Sequence, residues 1–244
     1  MPLMKRKSYD ARIRYIVSIG VFVALAYVVS VLTGFIKVQF LTFDAKDCII
    51  AVGALSLGPV AGAITAALVA LLEFLLSSST GVYGLIMNFI SSATFSVVAS
   101  LIYRFRRSFA AAVLGLTLAV LSTAGVMMLA NYLITPYYMG APRAAVVGMM
   151  LPLLLPFNLI KAALNASLTL LLYKHITYAL SRVGLIEKKK TSRNAAELAK
   201  TPNPEGKPFP WRTVAISAAA VLLLTAGILI YFLVLDAQIT PFWK

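Results

Sequence analysis

The segment PFNLIKAALN, residues 156–165, decides the fold, because it places a lysine and two asparagines inside a long apolar run. An ionised lysine at the centre of a bilayer costs about 2.5–3.5 kcal/mol on insertion scales, so such residues usually face a bundle interior or a cavity. Helical spacing puts Asn158, Lys161 and Asn165 on one face, since residues three, four and seven apart overlay. This face is the first candidate for a ligand site, in a bundle of transmembrane helices.

The composition of the whole chain is that of an all-α integral membrane protein. Its 244 residues are 61% hydrophobic and 12% charged, whereas soluble domains are about 45–50% apolar. Because about 20 apolar residues suffice to cross a bilayer, the pattern predicts seven spans. They are Ile13–Gly34, Asp44–Leu57, Pro59–Ser77, Val82–Tyr103, Phe109–Leu133, Ala144–Tyr173 and Thr213–Leu235.

The net charge of +14 would suggest a nucleic-acid partner in a soluble protein, but the positions of the basic residues argue for a lipid membrane instead. They cluster in residues 5–14, 104–107 and 174–212, at alternate helix ends. The positive-inside rule makes all three clusters cytoplasmic. We therefore expect a multi-pass protein of the cell membrane, with a cytoplasmic amino terminus, an extracellular carboxyl terminus and no nucleic-acid partner.

The chain divides into three parts. Residues 1–180 predict a six-helix substrate-binding membrane domain, residues 181–212 a basic cytoplasmic linker, and residues 213–235 an additional transmembrane helix that serves as an anchor. The second span is too short to cross the hydrocarbon core. The sixth is long and carries Pro152 and Pro156, which predict a kink or a broken turn. Irregular helices are tolerated at membrane depth where they line a cavity, so we expect a cavity on the outer side.

Four further polar residues are candidates for that cavity. Asp44 opens the second span, where it can cap the helix or form part of the cavity floor, and Lys46 can pair with Asp44 or Asp47. Glu73 can reach water, pair with Lys161 or contact a polar ligand. Asn88 and Asn131 can hydrogen-bond between helices, and for Asn131 we favour ligand contact.

Aromatic residues gather towards the same side of the membrane. Any one of them can belong to the ordinary interfacial belt, but together they suit a planar aromatic ligand. Phe43 and Tyr132 are included among the candidate binding residues. The full set is Phe35, Phe40, Phe43, Tyr83, Phe89, Tyr132, Tyr137, Tyr138 and Phe157.

Several kinds of chemistry have no motif in this sequence. It has no phosphate-binding loop, no His-Glu-x-x-His motif and no plausible Ser, His and Asp set. Its one cysteine, Cys48, and its one histidine, His175, cannot form a disulfide or a metal set. We expect no catalytic residues, no metal and no cofactor, and hence a non-enzymatic binding subunit driven by other proteins.

Several motifs, in order, resemble those of the riboflavin-specific S components of energy-coupling factor (ECF) transporters. The resemblance covers about residues 13–173 and rests on Phe43–Asp47, Gly58–Gly62, Ser79–Gly81, Gly84–Asn88, Ala130–Tyr132, Thr135–Gly140 and Leu155–Lys161. It implies six transmembrane helices, with riboflavin as the transported ligand bound near the extracellular face under the loop between spans one and two. It also implies uptake driven by a transmembrane coupling protein with two ATP-binding cassette ATPases, and ligand contacts from Asn158 and Lys161.

Two stripes of small residues are candidates for helix packing. Gly62, Ala66 and Ala70 in span three are expected to pack within the bundle, whereas Gly20 and Ala24 in span one are assigned to docking with the coupling protein, as the resemblance implies. Two alternatives for function stay open. The chain could be an S component for another vitamin, such as thiamine or biotin, or a membrane-embedded transferase, although the sequence lacks an acidic metal cluster or a histidine-based centre for the latter.

Overall fold

The computed structural model describes residues 2–34, 36–38, 41–76, 81–105 and 108–182. These residues form seven α-helices, a two-stranded antiparallel hairpin and one π-helical segment. In chain order they are α1 (Pro2–Thr33), β1 (Ile36–Val38), β2 (Leu41–Phe43), α2 (Lys46–Leu57), α3 (Pro59–Leu76), α4 (Gly81–Phe105), α5 (Phe109–Met139), α6 (Arg143–Met149), the π segment (Met150–Leu154) and α7 (Leu155–Arg182).

The predicted membrane-spanning helices are confirmed for the central part of the chain. Within the described residues, five helical stretches are long and apolar enough to cross a membrane: Arg12–Thr33, Pro59–Leu76, Gly81–Phe105, Phe109–Met139 and Arg143–Tyr173. The predicted loop before the second span contains the hairpin, in which Ile36 pairs with Phe43. The predicted helix at 213–235 and residues 183–212 of the predicted linker lie outside the described residues.

Helix α2 is the short second helix that the sequence predicted, and it lies at the centre of the bundle. Its 12 residues rise about 18 Å, less than the hydrocarbon core. It packs against α1, α3, α4 and α7, and Lys46 through Leu55 are all buried. A helix that is buried on every side presents no solvated face, so the charged side chains of Lys46 and Asp47 must find partners inside the protein.

A single residue, Gly58, joins α2 to α3. Its φ of +108° is disfavoured for residues with a Cβ, and Pro59 then supplies a preset first helical position. The tight turn brings the two helices together, and a Cβ on Gly62 would lie only 2.6 Å from the Cβ of Ala54. Gly62, Ala66 and Ala70 are buried, so the small-residue stripe of the third predicted span packs within the bundle.

The sixth predicted span is irregular where the two prolines occur. It comprises α6, the π segment and α7, and Pro152 and Pro156 remove two backbone N–H donors from the ladder of i to i−4 hydrogen bonds. π-helical turns are frequent at functional sites. This turn lies directly before the polar face of α7 that carries Asn158 and Lys161, so it fixes the direction in which that face enters the bundle.

Candidate functional site

A cavity of about 360 Å³ opens at the end of the bundle where α1 ends and α2 begins, which we call the hairpin end. Its volume is within the range of about 300–1,000 Å³ typical of small-molecule sites. Six of its lining residues are candidates named from the sequence: Asp44, Glu73, Asn88, Asn131 and, on α7, Asn158 and Lys161. Other lining side chains include Ser30, Thr42, Lys46, Phe74, Tyr83, Met87, Ser91, Met127, Thr135, Tyr138 and Phe157.

Glu73 is the centre of the polar wall formed by α1 to α4. Lys46 Nζ donates to both of its carboxylate oxygens at 2.7 Å, and Asn88 Nδ2 donates to Oε2 at 3.0 Å. Ser30 Oγ donates to Oε1. The Glu73 carboxylate therefore pairs with Lys46, whereas the sequence had left water, Lys161 and a polar ligand open as its partners. A carboxylate accepts about four hydrogen bonds, so these contacts occupy Glu73 and favour a role in building the wall.

Asp44 forms the second ion pair and does not cap α2. Its Oδ2 accepts from Lys161 Nζ at 2.8 Å and from Lys46 Nζ at 3.4 Å. The N-cap residue of α2 is Ala45, with no side-chain cap, so the expected capping role of Asp44 is wrong. Charge-assisted hydrogen bonds are about twice as strong as neutral ones, and the carboxylate accordingly faces the two ammonium groups.

Asn165 supplies the polar contacts at the start of α2 that Asp44 was expected to make. Its Nδ2 donates to the backbone oxygen of Asp44 at 3.0 Å, and its Oδ1 accepts from Cys48 N at 2.8 Å. Asn165 is fully buried and is not among the residues lining the cavity. Its position points to a role in fixing α2 against α7, so the structure separates it from Asn158 and Lys161, which do line the cavity.

Of the three candidate asparagines that line the cavity, Asn131 and Asn158 are held by their own helices. Asn158 Nδ2 donates to Leu154 O at 2.7 Å, in the π segment. Asn131 Nδ2 donates to Met127 O at 2.7 Å, and its Oδ1 accepts from Thr135 Oγ1 at 2.9 Å. These bonds fix the orientation of both amides. Within the described residues Asn158 Oδ1 accepts no hydrogen bond, which leaves it available to a ligand.

Lys161 and Asp44 also keep hydrogen-bonding capacity. Lys161 is 9% exposed and uses one of its three ammonium donors, on Asp44. Asp44 Oδ1 is buried and has no hydrogen-bond partner among the described residues. A buried polar atom without a partner costs about 1–3 kcal/mol, so a donor supplied by a bound molecule would stabilise this site.

The aromatic candidates divide between the cavity and the surface around it. Tyr83, Tyr138 and Phe157 line the cavity, and the Tyr83 and Tyr138 rings lie 6.5 Å apart, tilted by 59°. Tyr132 instead packs against Arg143, whose guanidinium carbon lies 5.8 Å from the centroid of the Tyr132 ring. Neither Tyr132 nor Phe43 is among the lining residues, so the structure does not bring these two candidates to the site. Phe35 and Phe40 lie outside the described residues.

Some lining residues were missed by the sequence analysis. Lys46 was assigned only a local role beside Asp44 and Asp47, although its main partner, Glu73, is 27 residues away. Ser30 and Met127 gave no signal, since serine and methionine are ordinary in apolar spans. Asp47, expected near the positive helix end, is buried against α4 and accepts a hydrogen bond from Ser92 Oγ.

Within the part of the chain that the structure describes, no cluster of three or more His, Cys, Asp or Glu side chains could hold a metal ion. The polar wall is built instead from alternating carboxylate and ammonium groups with amides at its edges. Such a wall can orient a neutral polar ligand through hydrogen bonds, while the aromatic side chains contact a planar part of it.

Comparisons with known proteins identify the family of this chain. The family model for the substrate-specific component of ECF transporters matches residues 14–173. The riboflavin transporter RibU of Staphylococcus aureus (strain TCH60) is 29% identical over 191 residues, which cover 73% of this chain and 98% of that relative. A solved structure of the S component of a bacterial ECF transporter is 28% identical, with a TM-score of 0.60 over 70% of this chain and 99% of the other.

The matched family consists of transporter subunits and is not an enzyme family. Its model covers most of the described bundle, including every helix that lines the cavity. The chain belongs to the family of substrate-specific components, or S components, of ECF transporters.

Proposed function

We propose that this S component binds riboflavin in the cavity at the hairpin end and mediates its uptake across the cell membrane. The observation that carries the proposal is that Lys161 and Asn158, which keep free hydrogen-bonding capacity, line the same cavity as aromatic side chains. The similarity to a riboflavin transporter supports the same ligand. Uptake would be driven by a transmembrane coupling protein and two ATP-binding cassette ATPases.

The chemistry of riboflavin matches the two kinds of wall. Its planar ring system carries carbonyl oxygens and one N–H group, and its side chain carries hydroxyl groups. The side chains of Lys161 and Asn131 are suited to hydrogen bonds with the polar edge of the riboflavin ring system. Asp44 Oδ1 can accept a hydrogen bond from an N–H or O–H group of riboflavin. Tyr83, Phe157 and the methionines offer apolar contact to the ring faces.

The distribution of charge supports an extracellular opening for the cavity. Arg12 and Arg14 begin the first span, and Arg104 and Arg182 lie in the last turns of α4 and α7. All four are at the end of the bundle opposite to the cavity. By the positive-inside rule that end is cytoplasmic, which places the amino terminus inside and the hairpin end outside. A seventh span over residues 213–235 would then place the carboxyl terminus outside.

The direct test is to purify the protein in detergent and examine it for bound flavin. We expect a yellow preparation with flavin absorbance, and quenching of riboflavin fluorescence when ligand is added back to flavin-free protein. Excess thiamine or biotin should leave this quenching unchanged. If riboflavin fails to bind while thiamine or biotin does, the ligand assignment is wrong and the S component serves another vitamin.

We also expect the hairpin formed by β1 and β2 to close over the bound ligand. Leu41 and Thr42 line the cavity, and the hairpin continues directly into Asp44, whose carboxylate is held by Lys161. A contact between riboflavin and Lys161 would therefore act on the base of the hairpin. Such lids move on microsecond to millisecond timescales.

Spin labels at Val38, in β1, and at the exposed Leu76, at the end of α3, would measure this closure in a protein whose buried Cys48 is replaced by Ala. We expect a narrower and shorter distance distribution with riboflavin than without it. Labels at Val60 and Phe105, both exposed at the opposite end, should give the same distances in both states. Identical distributions for the Val38 pair would rule out a lid.

A further inference from the structure

We propose that Lys46 is a positioning residue for the ligand site, which controls the Asp44 carboxylate and, through it, the ammonium group of Lys161. This inference rests on the proposed riboflavin site. It assigns a function to a side chain that lines the cavity without being free to bind a ligand. The observation behind it is the convergence of Lys46 and Lys161 on a single oxygen, Asp44 Oδ2.

Lys46 has no donor left for a ligand. Its ammonium group faces three acceptor oxygens, Glu73 Oε1 and Oε2 at 2.7 Å and Asp44 Oδ2 at 3.4 Å, and an ammonium has three N–H donors. The residue is only 2% exposed. Lys161, by contrast, donates to Asp44 alone among the described residues. The two lysines of the cavity therefore differ: one can contact ligand and the other can act only through its neighbours.

Lys46 also forms ion pairs with two walls of the cavity. On one side it binds Glu73 of α3, which Ser30 of α1 and Asn88 of α4 hold in place. On the other side it reaches Asp44, which pairs with Lys161 of α7. Along this row the charges alternate, from carboxylate to ammonium to carboxylate to ammonium. Each charge is buried, so each depends on its neighbours for compensation.

Removal of Lys46 is expected to change the ion pairing of Lys161. With Lys46 present, Asp44 Oδ2 is shared between two ammonium groups, and Oδ1 stays without a partner. Without Lys46, Lys161 is the one ammonium left in the row for two buried carboxylates, Glu73 and Asp44, of which it already contacts Asp44. The Asp44–Lys161 pair should then tighten, and the donors of Lys161 should turn from the cavity towards Asp44. Both the free donors of Lys161 and the free acceptor of Asp44 would be lost to the ligand.

The test is a double-mutant cycle between Lys46→Met and Lys161→Ala, with the dissociation constant of riboflavin measured by fluorescence quenching. We expect Lys46→Met to weaken binding about tenfold or more, and Lys161→Ala to have a much smaller effect in the Lys46→Met protein than in the parental protein. Coupled sites depart from additivity by about 2- to 150-fold. If Lys46 only stabilised the fold, the fold-changes in dissociation constant caused by the two single variants would multiply in the double variant.

Ser92→Ala is the matched control. Ser92 donates to buried Asp47 in the same core and does not line the cavity, so this change should lower the unfolding midpoint while leaving the effect of Lys161→Ala intact. If Lys46→Met does not fold, the double variant Lys46→Met/Glu73→Gln removes both charges of the ion pair. The effect of Lys161→Ala on the dissociation constant is then measured in that double variant.

A parental dissociation constant in the Lys46 variant, or effects of Lys46→Met and Lys161→Ala that multiply, would overturn the positioning role. Absence of riboflavin binding to the parental chain is a different result, since it would remove the proposed function itself.

Discussion

Lys161→Ala and Asn158→Ala are each expected to weaken riboflavin binding by about 5- to 150-fold, because each removes a largely buried polar partner from the cavity. Losing a hydrogen bond to a buried polar group costs about 1–3 kcal/mol, which converts to that range of affinity. Both side chains line the cavity and keep hydrogen-bonding capacity on the cavity side. Titration of riboflavin fluorescence with each purified variant would measure the change.

Thr169→Val provides a matched control on the same helix. Thr169 is fully buried and donates to Asn165 O, two turns beyond Lys161 and away from the cavity. This variant should keep the parental dissociation constant, even if its unfolding midpoint falls. Unchanged dissociation constants in both the Lys161 and the Asn158 variant would exclude these residues from the site.

The polar face of α7 could be predicted from sequence because a charged residue in a membrane span indicates a buried partner or a cavity. A lysine among apolar residues is costly at bilayer depth unless it has a buried partner or a cavity. The i, i+3 spacing then places Asn158 beside Lys161. Asn165 satisfies the same spacing, but the structure places it one turn beyond the cavity, against the backbone of Asp44 and Cys48. Periodicity identifies the face of a helix, but not where along that face a cavity ends.

The function of Lys46 could not be read from its neighbours in sequence. Asp44 and Asp47 flank it, so a local pairing was the natural interpretation, and capping explained Asp44. The closest partner of Lys46 is Glu73, on another helix. That contact depends on α2 being short and buried on all sides, which forces its charged residues to find partners across the bundle. A single sequence contains no record of such distant pairs.

The aromatic residues show a similar limit. Tyr132 and Tyr138 are close in sequence and lie at the same end of α5, so composition and position treat them alike. The rotation of α5 in the bundle separates them: Tyr138 lines the cavity beside Tyr83, and Tyr132 packs against Arg143. That rotation follows from how α5 packs against α4 and α7 along its whole length, which the spacing of two tyrosines does not reveal.

The largest effect is expected at a second surface, the exposed face of α1 that carries Gly20 and Ala24. Gly20→Leu combined with Ala24→Leu should abolish ATP-driven riboflavin uptake while leaving riboflavin affinity nearly unchanged. Gly20 and Ala24 are exposed, and a Cβ built on Gly20 would meet no atom within 4 Å. The bundle-facing side of α1 is formed by other residues, including Phe22 and Ala26, which are fully buried.

The physical reason is that small residues allow two helices to approach closely within a membrane. The stripe on α3 is already used inside the bundle, where Gly62 packs against Ala54. On α1, a Cβ at Gly20 would meet no atom within 4 Å, and Ala24 is exposed. We propose that the coupling protein packs there. Two leucines would fill that seam without disturbing the cavity, since neither position lines it.

Gly125→Leu on α5 is the matched control for this prediction. Gly125 is also exposed, and a Cβ there would likewise meet no atom within 4 Å, so a Gly→Leu change there adds one leucine side chain to a different exposed surface. Uptake of labelled riboflavin into proteoliposomes containing the coupling protein and its ATPases should continue in this control and cease in the α1 variant. Co-purification with the coupling protein should follow the same pattern. If the α1 variant transports at the parental rate, or if it loses riboflavin binding together with transport, the assignment of this face to docking is wrong.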